Sequence, residues 1–343
     1  MRYMSEKSIA KKPQLYNNES VAEYFSIKDV PRERTDGLIS HEDRQLLALM
    51  EKINPCHQRY YLGKNALLIT YRQKIDLLSF LSWGRLGYTL RIVGFPISIV
   101  KKGYYGDPRE VQAMIRSLKG FTLVLNGGKD LKLPRGYTLS SFKLSIPDQS
   151  FDNYLSRMRS PYRYRLNKAL KKRSLYRVRK IPKEAFNEGH YQLYKDVYQR
   201  SEAPLECLPL EFFKEMPGEI LVFEEKEHKS WQDGRLLGFL FLSYQQDTLN
   251  FLFGGFAEAD VAKYDLYFGM LTEMVKVAID KGLKYLELGQ TAEESKAKLG
   301  AMEQRKYLYL SHKNSLVNKI IPRILRIGTY QPGKHTYRVF KED

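Results

Sequence analysis

The chain has 343 residues, 57 Lys plus Arg against 39 Asp plus Glu, a formal net charge of +18 and 43% hydrophobic residues. That length exceeds one ordinary domain of roughly 100–200 residues, so two packed domains are expected, and the charge suits phosphate-rich or anionic partners as well as an ordinary basic soluble protein. Cys56 and Cys207 stand far apart with no Cys or His at ligand spacing, which argues against a disulfide framework or a zinc site; no signal-like or membrane-spanning apolar run occurs, so the expectation is a soluble, cytoplasmic protein.

Residues 1–20 are polar and rich in Lys and Asn, which predicts a disordered N-terminus. Apolar, β-branched and aromatic runs predict strands at Ala66–Tyr71, Ile75–Leu81 and Tyr88–Val93, then a helix from Pro108 to Leu118 closed by Gly120. A strand from Phe121 to Leu125 runs into Asn126-Gly127-Gly128, read as a hairpin turn, and another spans Tyr137–Ile146.

Between Arg159 and Lys183 the chain carries eleven basic residues and no acidic one. Ser160 is expected as the N-cap and Pro161 as the first helical residue, with Tyr162, Leu166, Ala169 and Leu170 on a packing face beside a polar stripe of Arg163, Asn167 and Lys171. By composition this is an anion-binding helix. Helices at Lys183–Arg200 and Leu210–Met216 follow, then strands at Ile220–Glu224, Leu236–Tyr244 and Leu249–Phe256, the first two joined through a turn at Gln232-Asp233-Gly234-Arg235. One long helix is expected through Tyr264, Phe268, Leu271, Val275, Ala278 and Ile279, stopped by Lys281-Gly282. A strand at Lys284–Leu288, a helix near Ala292–Gly300, a strand at Lys306–Ser311 and a basic, amphipathic tail from Lys313 complete the chain.

This order is similar to the GNAT (Gcn5-related N-acetyltransferase) fold. It resembles in particular the branch related to the FemAB peptidoglycan aminoacyltransferases, on two segments: the basic helix Arg163–Lys172, and Gly282-Leu283-Lys284-Tyr285-Leu286-Glu287-Leu288-Gly289-Gln290 followed by Lys296 and Gly300. The resemblance implies an α/β (α+β) protein of two tandem GNAT-like domains, the first partial, each a mixed twisted sheet flanked by helices. The expected organisation is 1–20 disordered, 21–136 a partial GNAT-like domain, 137–312 the acyltransferase domain and 313–343 a basic tail.

The implied reaction moves an acyl or aminoacyl group from aminoacyl-tRNA, acyl carrier protein or acyl-CoA to an amine, by direct attack without metal or permanent cofactor. The alternative is a non-catalytic RNA-binding or membrane-surface protein of the same fold, the tail making a peripheral membrane contact. Glu287 and Gly255 are the expected catalytic residues. Glu287 would act as general base or orient the amine, or merely pair with a neighbouring Lys or Arg; a bulge at Gly254-Gly255 would free a main-chain N–H for the oxyanion, or the pair would be a plain strand-end turn. Arg163, Arg165, Lys168, Tyr264, Gln290 and Lys296 are the expected substrate-binding residues. Charge reversal at Arg163 or Lys296 is expected to weaken donor binding and spare stability. The loop Gly254–Lys263 lacks the glycine-rich pyrophosphate signature, and Glu258 and Asp260 would repel phosphate there, so free acetyl-CoA is expected to bind weakly. His190, His228 and His312 are expected at the surface.

Overall fold

The computed structural model describes residues 14–16, 19–54, 56–76, 87–97, 99–201, 207–226, 234–330 and 337–342. In chain order these form β1 (Gln14–Tyr16), β2 (Glu19–Tyr24), α1 (His41–Ile53), β3 (Arg59–Leu62), β4 (Ala66–Asp76), β5 (Gly87–Val93), β6 (Tyr104–Gly106), α2 (Pro108–Ser117), β7 (Phe121–Gly127) and β8 (Arg135–Ser145). Next come α3 (Phe151–Arg157), α4 (Ser160–Lys172), β9 (Tyr176–Ile181), α5 (Glu188–Arg200), α6 (Leu210–Glu215), β10 (Glu219–Glu225), β11 (Leu236–Gln245) and β12 (Thr248–Phe256). The last are α7 (Glu258–Tyr264), α8 (Leu266–Asp280), β13 (Tyr285–Glu287), α9 (Glu293–Ala297), β14 (Met302–His312) and α10 (Ser315–Gly328). The α/β class with mixed sheet is as the sequence implies.

The chain divides into two compact units, residues 1–138 with 305–332, and residues 139–304 with 333–343. The expected division at 136/137 lies close to the first boundary, but the strand and helix after residue 304 belong to the first unit. Hydrogen bonding gives the reason: Tyr307 to His312 of β14 pair antiparallel with β7. The expected disorder of residues 1–20 falls mainly outside the described residues, as do Gln232 and Asp233 of the expected turn.

In the first unit β2, β3, β4 and β5 are successive antiparallel neighbours, and β5 pairs parallel with β7. The two strands expected at 66–71 and 75–81 are one, continuous to Asp76; beyond it the expectation lies outside the described residues. No hairpin forms at Asn126-Gly127-Gly128, because the strand runs on to Gly127 and its antiparallel partner is the distant β14. Helix α2 starts where Asp107 accepts the N–H groups of Arg109 and Glu110 and Pro108 follows, and it lays Val111, Met114 and Ile115 on the sheet.

In the second unit β9–β10–β11–β12 is an antiparallel run, β12 pairs parallel with β13, and β13 pairs antiparallel with β8. Its core gathers Leu144, Tyr154, Leu166, Leu240, Leu249, Leu271, Val275, Leu286 and Leu288, each fully buried. Burial of each Leu or Val is worth about 1.5–3 kcal/mol, which is what holds α4 and α8 to the sheet.

Three helix expectations change. Helix α4 takes Arg159, not Ser160, as its N-cap and makes no side-chain cap bond there; the Arg159 N–H and guanidinium are instead used on the carbonyls of Val339 and Phe340. The helix expected from Lys183 opens as a short 3-10 turn, and α5 proper begins after Asn187, which forms a capping box with His190. The long helix through Tyr264 is broken at Asp265, whose backbone is left-handed (φ 50°), separating α7 from α8.

Candidate active site

The short strand β13 fixes the site. Its parallel pairing with β12 lasts three positions, Thr248↔Tyr285, Leu249↔Leu286 and Asn250↔Glu287. Beyond them β13 stays with β8, through Leu288 N–H to the Phe142 carbonyl at 2.8 Å and Phe142 N–H to the Gly289 carbonyl at 3.1 Å. Strand β12 stays with β11 as far as Gly238↔Phe256. The two strands therefore part after Asn250 and Glu287, the divergence the sequence order implied.

Strand β12 carries a bulge at this parting. Phe253 faces Phe241 and Phe251 faces Leu242, so Leu252 has no partner on β11. The bulge thus falls at Leu252 and not at Gly254-Gly255, which sit in regular register opposite Leu240 and Phe239. Gly255 has a packing reason instead. A Cβ there would lie 2.7 Å from the backbone of Leu193 and Tyr194, so only glycine lets α5 approach β12 this closely. On the same side Phe253 packs at 5.6–6.1 Å from the rings of Phe212, Phe213 and Tyr194, an aromatic cluster whose members are spread over α5, α6 and β12.

Leu286 and Leu288 are buried in the core, so alternation turns Glu287 to the opposite face, where it is half-buried. The Gly289 N–H donates to Glu287 Oε1 at 3.3 Å. The loop after it is strained, with left-handed backbone at Gly289 (φ 71°), Thr291 (φ 65°) and Ala292 (φ 46°); such conformations cost energy in non-glycine residues and collect at functional sites.

Two anchors hold that loop. The Gln290 side-chain amide donates to the Leu139 carbonyl, and Lys296 Nζ donates to the Gln290 carbonyl at 2.6 Å. Lys296 is only 2% exposed. Burial pushes its pKa down from 10.5 to about 7, against the opposing pull of Glu287 and Glu293. Glu287 on β13, Gln290 in the loop after it and Lys296 on α9 are thus brought together, and Lys296 is enclosed there instead of reaching out to a phosphate.

The basic segment behaves differently from its composition. Arg165 makes two bonds of 2.5 Å to the Asp265 carboxylate and stacks over the Phe268 ring at 3.6 Å, so it ties α4 to the break between α7 and α8. Arg173 pairs with Glu273, Arg177 and Arg179 with Glu224, and Lys180 with Glu219. Arg163 donates to the Met158 carbonyl at 3.3 Å, whereas Lys168 and Lys171 are exposed. The partners sit on β10, on α8 and at the break before α8, forty or more residues away in most cases, beyond the reach of local sequence. Arg165→Ala should therefore lower stability by about 1–3 kcal/mol, since a partly buried bidentate pair is broken, while Lys168→Ala leaves the urea midpoint unchanged.

Tyr264 is buried, and its hydroxyl donates to Glu225. Asp260 is buried too and makes bonds of 2.6 and 2.8 Å to Arg235, while Glu258 faces Arg200 at 3.5 Å. The two carboxylates thought to repel a pyrophosphate are thus each answered by an arginine. His190 is buried, not superficial: its ring stacks on Phe186 at 5.2 Å and its Nδ1 takes the Asn187 N–H. His312 is half-buried against Phe121, and His228 lies outside the described residues.

Comparison with known proteins agrees with this architecture. Residues 156–297 match the family described as the acetyltransferase (GNAT) domain. No curated protein matches the chain. The C-terminal domain of a protein assigned as a lysylphosphatidylglycerol synthetase of Agrobacterium fabrum superposes with a TM-score of 0.52 at 11% identity, over 84% of this chain and 93% of that one. FemX gives 0.48 at 12% identity over 77% and 90%, and L-PGS from Bacillus licheniformis gives 0.48 at 10% over 84% and 97%. The matched domain and the mixed sheet identify residues 156–297 as a GNAT-type domain, within a chain that shares the overall fold of the Agrobacterium domain.

Proposed function

We propose that the chain is an N-acyltransferase or aminoacyltransferase whose reacting carbonyl sits where β12 leaves β13. The observation that carries this reading is the bulge at Leu252 beside Glu287, at the end of a three-residue parallel ladder. In this reading a main-chain N–H of β12 at the bulge holds the oxyanion, and Glu287 takes the proton. The acceptor amine, in its neutral form, attacks the acyl carbon; its proton passes to the Glu287 carboxylate; the tetrahedral oxyanion is held by the β12 main chain. Collapse expels the thiolate or ribose oxygen, which recovers the proton from Glu287.

Three donors suit a basic protein: aminoacyl-tRNA, acyl carrier protein and acyl-CoA. The pairing of Asp260 with Arg235 and of Glu258 with Arg200 removes the electrostatic objection to the last. The cytoplasm supplies all three, and we place the reaction there. The test follows consumption of each donor by the full chain with and without a mixture of primary amines. Amine-dependent loss of at least one acyl bond supports the reading; indifference to all three removes it.

A second reading, attachment to a membrane surface, is favoured by α10. Leu316, Ile320 and Ile324 follow one another at helical spacing and are 65%, 54% and 52% exposed, with Lys319 and Arg323 beside them, while Ile321 and Leu325 are buried on the other face. Among the described residues no helix is long and apolar enough to cross a membrane. Sedimentation with vesicles rich in phosphatidylglycerol should retain the wild-type chain, release the Leu316→Ser, Ile320→Ser, Ile324→Ser variant, and fail with phosphatidylcholine alone.

A further inference from the structure

The first unit carries a concentration of charge of its own. On one face of its sheet the register sets Glu23 opposite Tyr61, Arg59 opposite Thr70 and Arg72 opposite Arg91. The same face is apolar at Leu68 and Val93, where it packs with Val111, Met114 and Ile115 of α2. Past that apolar patch it turns basic and encloses a cavity of about 100 Å³ lined by Glu23, His57, Arg59, Tyr61, Thr70, Arg72 and Arg91.

Charge within this cavity is unbalanced. Glu23 is the lone carboxylate of the lining, and it serves Arg59 at 3.9 Å and the Tyr61 hydroxyl at 3.0 Å. Arg59 is further occupied by the Gln58 carbonyl and the Phe25 ring. Arg91 donates one Nη1 bond to the Lys119 carbonyl at 3.1 Å, which fixes its direction without neutralising it. That leaves Arg72 and Arg91 directly opposed across the β4–β5 ladder. Like charges at opposed positions destabilise a sheet unless an anion lies between them. A cavity of this size accommodates a phosphate group, and two guanidinium forks match its oxygens.

We propose that this cavity binds the phosphate of a phosphomonoester, held between Arg72 and Arg91 with Thr70 and His57 at its rim. The inference is independent of acyl transfer, since every residue in it belongs to the first unit. Thermal unfolding of the full chain in increasing inorganic phosphate should show a saturable rise in Tm. In the Arg72→Gln, Arg91→Gln variant that rise should vanish while the Tm without phosphate stays level or climbs, because the repulsion is gone. The exposed Arg72→Gln change alone should weaken phosphate binding on the order of tenfold. Glycerol 3-phosphate and dihexanoyl-phosphatidic acid, the latter below its micelle threshold, distinguish a soluble ester from a lipid headgroup by which binds more tightly. No phosphate-dependent rise in the wild type, or the same rise in the double variant, overturns the proposal.

Discussion

Replacing Lys296 by Glu should cost the protein about 3–5 kcal/mol, seen as a large fall in the urea midpoint. The side chain is almost fully enclosed, its Nζ holds the Gln290 carbonyl, and its electrostatic neighbours are Glu287 and Glu293. A carboxylate there would repel both and leave that carbonyl without its donor. Charge reversal was expected from sequence to spare stability; burial reverses that expectation. A companion measurement isolates the ionisation. The folded pKa of about 7 lies below the unfolded value of 10.5, so between these pH values the unfolded chain binds the extra proton and stability rises with pH. Below about pH 7 both states are protonated and the penalty of burying the ammonium is complete. Relative to Lys296→Met, the wild type should therefore gain about 3–4 kcal/mol between pH 7 and pH 10. A flat difference across that range would show that the ammonium is solvated.

Glu287→Gln should lower turnover by about 10²–10⁴-fold while the Tm hardly moves. Gln keeps the shape and the capacity to accept the Gly289 N–H, but it does not take an amine proton at neutral pH. An unfolding transition displaced along with activity would mark Glu287 as a structural ion partner of the β8–β13 edge, where Lys143 is its cross-strand neighbour.

Much of the second unit was legible because its signals are local. Period-two runs gave β10 to β12, the Leu286–Glu287–Leu288 alternation correctly sent Glu287 away from the core, and Lys281-Gly282 ended α8. What was hidden depends on distant partners. Nothing near Arg165 in sequence announces Asp265, and nothing near Lys296 announces its enclosure. The bulge at Leu252 is a mismatch between two strands, so Gly254-Gly255 drew attention that belonged two residues earlier. Composition overstated the basic segment for the same reason: five residues of the run, Arg165, Arg173, Arg177, Arg179 and Lys180, are paired with carboxylates from elsewhere in the fold.

If the acyl group lies in the gap between β12 and β13, amide hydrogen exchange on the full chain will register it there. In the presence of whichever donor is consumed in the transfer assay, exchange should slow at residues 251–256 and 287–292, where the β12 main chain would grip the carbonyl and the strained loop would close on it. Protection confined to the exposed Lys168 and Lys171 side of α4, with 251–256 unchanged, would rule out a carbonyl held in that gap and leave α4 as an anion-binding surface without a reacting site behind it.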